Sequence, residues 1–392
     1  MPPVSQVAWT GSATRWLRSS NAHRPQMRWP RTPPSRLHAA GSLRAEHGWP
    51  QPACLPRNAI GITANAVTTS GGRDLTHLKE PNMPTFTGNG INLCFEQFGA
   101  RSDPPLLLLH GIGCQLVQWP PAFIQGLAER GLRVVCMDNR DMGLSEQLDA
   151  LGQVDAAAML TAMASGQAVE APYALADMAA DAIALLDHLG IEDAHILGVS
   201  MGGMIAQHLA ISHSERLRSL IAIMSSTGDP ALPPPAPEAA AVLVTPPPAT
   251  DRESLIQYQQ AMWDVIGGER YPSRTEGMGR LAADAVDRMV SPQGFARQLA
   301  AIVADGSRVE RLGQVELPTL VIHGDADPLV PLAAGESIAR AIPGAELEIV
   351  KDMGHDLPES LVPTIVARIG HFLHSVEASR PLSPDRIRGG LA

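Results

Sequence analysis

The sequence predicts an α/β fold: a mostly parallel, doubly wound sheet with an inserted helical cap. Three observations predict it. Short unbroken apolar runs, such as residues 106–109, lack the in–out alternation of a half-exposed strand. They fit strands covered on both faces. Between these runs lie segments with apolar residues every three or four positions, which is helical periodicity. Strands alternating with helices build a parallel sheet with helices on both faces. The alternation breaks once, between about residues 228 and 314, where helical stretches follow one another with no strand between them.

The elements follow in chain order. Ile91–Phe98 reads as a strand stopped by Gly99, and residues 106–109 as a strand buried on both faces. Residues 123–130 are helical and 132–137 form the next strand. Residues 174–189 keep a helical period up to Gly190, a common helix terminator. Residues 195–198 are a short strand, 201–211 a helix and 217–224 a strand. Pro233–Pro235 and Pro246–Pro248 open the irregular stretch, in which 253–265, 280–289 and 294–303 are helical. Strands return at 317–323 and 347–350, separated by a helix around 334–341. An amphipathic helix covers about 360–374. The expected organisation is a first core part over 83–228, a cap over 229–315, a second core part over 316–374 and a flexible tail over 375–392.

Residues 1–82 differ from the rest. They hold ten basic and three acidic residues, whereas the other 310 hold 20 basic and 37 acidic. Four of the six tryptophans lie there, without Phe or Tyr, and no apolar period is sustained. Such a segment buries too little apolar surface to offset its ordering entropy, so it reads as a disordered extension. It has no apolar core of the kind a secretory signal needs. Met83 reads as the natural first residue.

Composition excludes several classes. With 45% hydrophobic residues the chain is globular, and no apolar run reaches the length of a membrane span. A net charge of −10 argues against nucleic-acid binding. Four scattered cysteines form neither a disulfide framework nor a metal motif, and suit a reducing compartment, the cytoplasm. No HExxH, P-loop or Cys/His cluster is present, so no metal or cofactor is implied.

The chemistry centres on Gly198-Val199-Ser200-Met201-Gly202-Gly203, set between a strand and a helix. A G-x-S-x-G sequence in that setting is a nucleophile elbow. The turn is too tight for Cβ atoms at its flanks, and the helix N-terminus offers N–H donors for a developing oxyanion. A serine nucleophile needs a base and an orienting acid, and parallel sheets gather ligands at the carboxyl ends of their strands. Asp325 and Asp327 follow one late strand and His355 the next, giving the order Ser, Asp, His. His371 and His374 read as surface residues and His323 as packed.

The stretch Leu109-His110-Gly111-Ile112-Gly113 offers the Ile112 N–H as a second oxyanion donor beside that of Met201, with His110 orienting the loop. A competing reading makes Gly111 and Gly113 the start of a dinucleotide fingerprint, with Asp138 as its ribose acid. Leu116 stands where the third glycine belongs and Pro120-Pro121 interrupts the helix start.

Residues 84 to 374 resemble the α/β-hydrolase fold superfamily, on the His110-Gly111 loop, 138–145, 198–203, 323–331 and Gly354-His355. The stretches 138–145, 200–207 and 353–358 are similar to bacterial serine esterases that include the aclacinomycin methylesterases. The Ser-Met-Gly-Gly elbow is also similar to the cofactor-free haloperoxidases. The resemblance implies Asp327, immediately before Pro328, as the acid. It implies Ile112 and Met201 as oxyanion donors, and a small-molecule ester as substrate, such as a methyl ester of a bulky apolar or polyketide-like acid. Serine at the elbow departs from the related epoxide hydrolases and haloalkane dehalogenases, which use aspartate. Perhydrolysis or acyl transfer by the same residues is the alternative, as is a ligand-binding protein on this scaffold. Met262, Trp263, Met278 and Met289 are candidates for lining an apolar pocket under the cap, with plain packing as their default role.

Overall fold

The computed structural model describes residues 83–271 and 276–380. The expected extension over 1–82 lies outside the described residues, as does the tail beyond residue 380.

Eight strands form one sheet: β1 (Thr85–Gly88), β2 (Ile91–Phe98), β3 (Pro105–Leu109), β4 (Arg133–Met137), β5 (Ala194–Val199), β6 (Leu217–Ile223), β7 (Thr319–Gly324) and β8 (Glu346–Val350). Their order is β1-β2-β4-β3-β5-β6-β7-β8. β1 and β2 pair antiparallel, as do β2 and β4, and every other neighbouring pair is parallel. β1 is an addition to the expected set. It closes a hairpin through Asn89-Gly90, both at positive φ (51° and 81°), which is the backbone a tight two-residue hairpin requires.

Alternation within the unbroken apolar runs divides the core in two. Leu106 and Leu108 of β3 face one side, with Val134, Cys136, Leu197 and Ile221. Helices α1 (Pro121–Ala128) and α11 (Val362–Ser379) cover that side. Leu107 and Leu109 face the other, beneath α3 (Leu175–His188), α4 (Met201–Ser212) and α10 (Leu332–Ala341). Each strand residue therefore meets a helix layer whichever way it points, which is why these runs carry no polar positions.

The alternation breaks where expected. Between β6 and β7 lie α5 (Pro237–Val242), α6 (Arg252–Ile266), α7 (Glu276–Arg288) and α8 (Pro292–Asp305), followed by the single turn α9 (Val309–Leu312). A further helix, α2 (Ala156–Ser165), was not anticipated. Met159 of α2 packs on Leu299 and Ala300 of α8, so this excursion after β4 joins the inserted helices. The last helix corrects the expected start of the tail at residue 375. α11 runs to Ser379, because Phe372, Leu373 and Val376 continue its buried stripe. Glu377 also pairs with Arg218 of β6 at 3.2 Å.

The inserted helices are fixed to the core by buried charge. Arg297 of α8 grips Asp141 with two hydrogen bonds, of 2.9 and 2.6 Å, and both side chains are almost fully buried. Arg288 of α7 meets the buried Asp138 at 2.6 Å. Bidentate guanidinium–carboxylate geometry is the arrangement in which such pairs offset their desolvation. Asp141→Ala leaves Arg297 charged and buried, and should lower the unfolding free energy by about 3–5 kcal/mol. Breaking the exposed Arg340–Glu336 pair with Glu336→Ala should leave stability unchanged within error. Chemical unfolding of both variants checks this contrast.

Candidate active site

Ser200 sits between β5 and α4 with φ 53° and ψ −120°, a conformation that costs a non-glycine residue about 1–3 kcal/mol. The neighbouring glycines make it possible. A Cβ on Gly198 would lie 2.1 Å from the Gly202 carbonyl oxygen, and one on Gly202 would lie 2.0 Å from that of Leu109. Helix α4 therefore begins in backbone contact with the ends of β3 and β5. The Ser200 backbone is tied down by its N–H to the Ile223 carbonyl at 2.9 Å and by Ser225 Oγ, which donates to its carbonyl at 2.8 Å.

Three residues singled out in the sequence meet here. Ser200 Oγ lies 2.9 Å from His355 Nε2, and His355 Nδ1 lies 2.8 Å from Asp327 Oδ2. Asp327 Oδ1 accepts the N–H groups of Leu329 and Val330 at 2.9 and 2.8 Å. A carboxylate accepts only, so the imidazole proton sits on Nδ1 and Nε2 is left to accept from the serine hydroxyl. The backbone N–H of His355 donates to the Ile266 carbonyl at the end of α6, at 2.7 Å, so an inserted helix positions the histidine. Asp325 is not part of this chain. It is exposed, and its Oδ1 accepts the Asp352 N–H at 2.6 Å, closing the turn.

The other histidines are occupied otherwise. His323 Nε2 donates to the Val330 carbonyl at 2.7 Å, and burial lowers its pKa. Burial also pushes His110 down to about 4, so it is a neutral ring at physiological pH. Its Nδ1 accepts the Gly111 N–H at 2.8 Å and its ring lies 4.4 Å from that of Trp119. His110 thus orients the loop. His371 and His374 are exposed on α11.

The loop after β3 commits its amides selectively. The Gly111 N–H goes to His110, the Gly113 N–H to Gln298 Oε1 at 2.9 Å and the Cys114 N–H to the Gly111 carbonyl at 3.3 Å. Among the described residues the Ile112 N–H has no acceptor, nor has the Met201 N–H at the start of α4. Gln298 of α8 was not foreseen as a site residue. It also donates to the Arg140 carbonyl at 2.9 Å and so spans two loops, a link with no local sequence signal.

The dinucleotide reading does not hold. Asp138 is fully buried, accepts the N–H groups of Leu116 and Leu144 at 2.7 and 2.9 Å, and pairs with Arg288. It has no face to offer a ribose. Among the described residues no group of three or more His, Cys, Asp or Glu side chains is arranged to hold a metal ion.

Two adjacent cavities lie under the inserted helices. The inner one, of about 120 Å³, holds Ser200 and His355 and is lined by Ile266, Met278, Leu329 and Leu357. The outer one, of about 330 Å³, is walled by Met142, Met159, Leu255, Met289 and Leu299. They meet at Ile112, Cys114, Gln118, Trp263 and Phe295. Met262, Trp263, Met278 and Met289 all reach a cavity wall, beyond the packing role that was their default. Burial pushes the Cys114 thiol up to about 12, so it is an inert, protonated wall group.

The α/β hydrolase fold family matches residues 104–360. Rhodomycin D methylesterase DnrP of Streptomyces peucetius is 28% identical over 310 residues, covering 73% of this chain and 97% of its own. A 2-hydroxy-6-oxononadienedioate/2-hydroxy-6-oxononatrienedioate hydrolase of Paraburkholderia phymatum is 26% identical, covering 68% of this chain and 86% of its own. The crystal structure of the enol-lactonase from Burkholderia xenovorans LB400 superposes with a TM-score of 0.57 at 22% identity, covering 74% of this chain and all of that one. No described helix is long and apolar enough to cross a membrane. With about two thirds of its length matched by the family and the elbow set at the strand–helix junction, the chain belongs to the α/β hydrolase fold family and is a hydrolase of that fold.

Proposed function

We propose that this hydrolase cleaves carboxylic esters of a short alcohol and a bulky, largely apolar acid, through Ser200, His355 and Asp327. The observation that carries the reading is the unbroken relay from the Ser200 hydroxyl through the imidazole to the Asp327 carboxylate, at 2.9 and 2.8 Å. The relative from Streptomyces peucetius is named a methylesterase, which supports an ester as substrate.

In this mechanism Ser200 Oγ attacks the ester carbonyl while His355 Nε2 takes its proton. Asp327 stabilises the imidazolium and, through Nδ1, holds the ring in the tautomer that leaves Nε2 free. The N–H groups of Ile112 and Met201 receive the oxyanion; their lack of protein acceptors supports that role. The imidazolium returns the proton to the leaving alcohol, and the ester C–O bond breaks. A water molecule deprotonated by His355 then attacks the acyl-enzyme, releasing the acid and restoring Ser200.

Chamber sizes support the assignment of the two ester halves. The leaving alcohol must lie beside His355, which protonates it, and the inner cavity there is the smaller of the two. The acid half then extends past Ile112 into the outer cavity, whose volume is in the range that accepts whole small molecules. Action in the cytoplasm belongs to the same proposal, supported by the three cysteines among the described residues, Cys94, Cys114 and Cys136, all of them unpaired.

Ser200→Ala should lower kcat for an activated ester by about 10⁴–10⁶-fold and abolish labelling by a fluorophosphonate. Survival of a tenth of the activity would refute the nucleophile. Asp327→Asn should lower kcat by about 10³–10⁴-fold through the wrong imidazole tautomer. Asp325→Asn should stay within about tenfold, losing only a turn hydrogen bond. The reverse ranking, read with the same ester, would move the acid to Asp325. Along a series of esters sharing one aromatic acid, kcat/KM should fall from methyl to butyl. A rise along that series would reverse the two halves.

A further inference from the structure

We propose that Gln118 is a specificity-determining residue. Its side-chain NH₂ donates a hydrogen bond to an acceptor oxygen (keto or alkoxy) that the acid half of the ester carries one or two carbons beyond the scissile carbonyl. The proposal rests on the esterase reading above and narrows its substrate class.

Gln118 ends the short turn Leu116–Gln118 that follows the Ile112 loop. Its side chain is 7% exposed, yet it lines both cavities at their junction. Its amide orientation is fixed by chemistry. Oε1 accepts the backbone N–H of Gln115 at 2.8 Å, and a backbone N–H only donates, so the oxygen must face Gln115 and Nε2 must point away. The turn is pinned from the other side as well. Gln115 Nε2 donates to the carbonyls of Ala285 and Met289 at 2.9 and 2.7 Å. Gln118 therefore has little freedom to turn its amide elsewhere.

Among the described residues Nε2 meets no acceptor. Two other polar groups of the cavity walls are committed: Tyr258 Oη donates to the Thr245 carbonyl at 2.5 Å, and Gln293 Oε1 accepts the Val154 N–H at 3.2 Å, while Gln259 Oε1, buried in the outer wall, is an acceptor without a partner. A fixed, nine-tenths-buried donor thus stands in an apolar wall, at the place where the acid half passes from one chamber to the other. A site that holds such a donor favours a substrate that satisfies it and disfavours the analogue that leaves it unpaired. Ser200 and His355 are untouched by this contact, so it acts on binding of the acid half and not on proton transfer.

The test uses matched methyl esters of aromatic acids: 3-oxo against 3-methylene, and 2-methoxy against 2-ethyl. Each kcat/KM is divided by the ester's rate of alkaline hydrolysis, which removes intrinsic reactivity. The wild-type chain should prefer the oxygenated member of at least one pair by about tenfold or more. Gln118→Met should reduce that preference to within about threefold by lowering kcat/KM for the oxygenated ester. A purely structural role for Gln118 would instead slow both members alike and preserve the ratio, and that result overturns the proposal. Absence of any preference in the wild type overturns it without recourse to a variant, and leaves the esterase reading intact as long as both members are cleaved. Failure to cleave any of the esters, with no fluorophosphonate labelling of Ser200, overturns the esterase reading and this proposal together.

Discussion

The backbone contact between Gly202 and the Leu109 carbonyl is the constraint on which the rest of the site depends. Two adjacent parallel strands, β3 and β5, end side by side, and α4 must start almost on top of them. Only residues without a Cβ permit that approach. Once it is made, the first N–H groups of α4 and the loop after β3 are neighbours, and the serine between strand and helix is forced into a left-handed backbone that lifts its hydroxyl above the sheet. The strain at Ser200 is a local cost of a packing arrangement the whole sheet enforces. It is sustained by the Ile223 and Ser225 hydrogen bonds on either side.

A second set of contacts makes the inserted helices part of the site. α8 supplies Arg297 to Asp141 and Gln298 to Gly113, α7 supplies Arg288 to Asp138, and α6 holds the His355 backbone. All but one of these partners lie in the loops after β3 and β4. The same side chains that bind the helices to the core therefore consume the loop's spare polar groups. Among the described residues, what remains unpaired includes the N–H donors of Ile112 and Met201, the Gln118 side-chain amide and the Gln259 Oε1 acceptor, in a wall that is mostly apolar. Selective use of amides, more than the presence of any one residue, gives the cavity its polarity.

Much of this was legible in the sequence, for identifiable reasons. Buried parallel strands announce themselves as unbroken apolar runs, and β2 was bounded to the residue. The glycines around Ser200 carry a steric signature that survives without an alignment, and the loops holding Asp327 and His355 follow recognisable strands. What escaped was non-local or weakly patterned. α2 is rich in alanine, so its period is faint. β1 is only four residues long, although its Asn-Gly turn was a readable hairpin signal. Arg288, Arg297 and Gln298 sit on helices whose periodicity says only that they face inward; their partners lie some 150 residues earlier in the chain. Periodicity predicts which side of a helix is buried, not what a charged residue on that side will find there.

The placement of the inserted helices has a consequence for the order in which the site comes into being. Ser200 and both loops after β3 and β4 precede the insertion in the chain, whereas Asp327 and His355 follow it. β6 meets β7 in the pairing of Leu220 with Thr319, so everything between them is a closed loop. The entropy of closing such a loop grows only logarithmically, by about 0.6 kcal/mol for each doubling of its length, so the insertion is cheap at equilibrium. Its effect falls on timing. During synthesis the serine, its elbow and its amide donors emerge first and can pack against β3 to β6. The acid and base arrive only with β7 and β8, after the helices that will roof the cavity. A ribosome-bound chain therefore carries a nucleophile with no base for the whole time the insertion is being made, and the relay is assembled in one of the last pairings of the sheet.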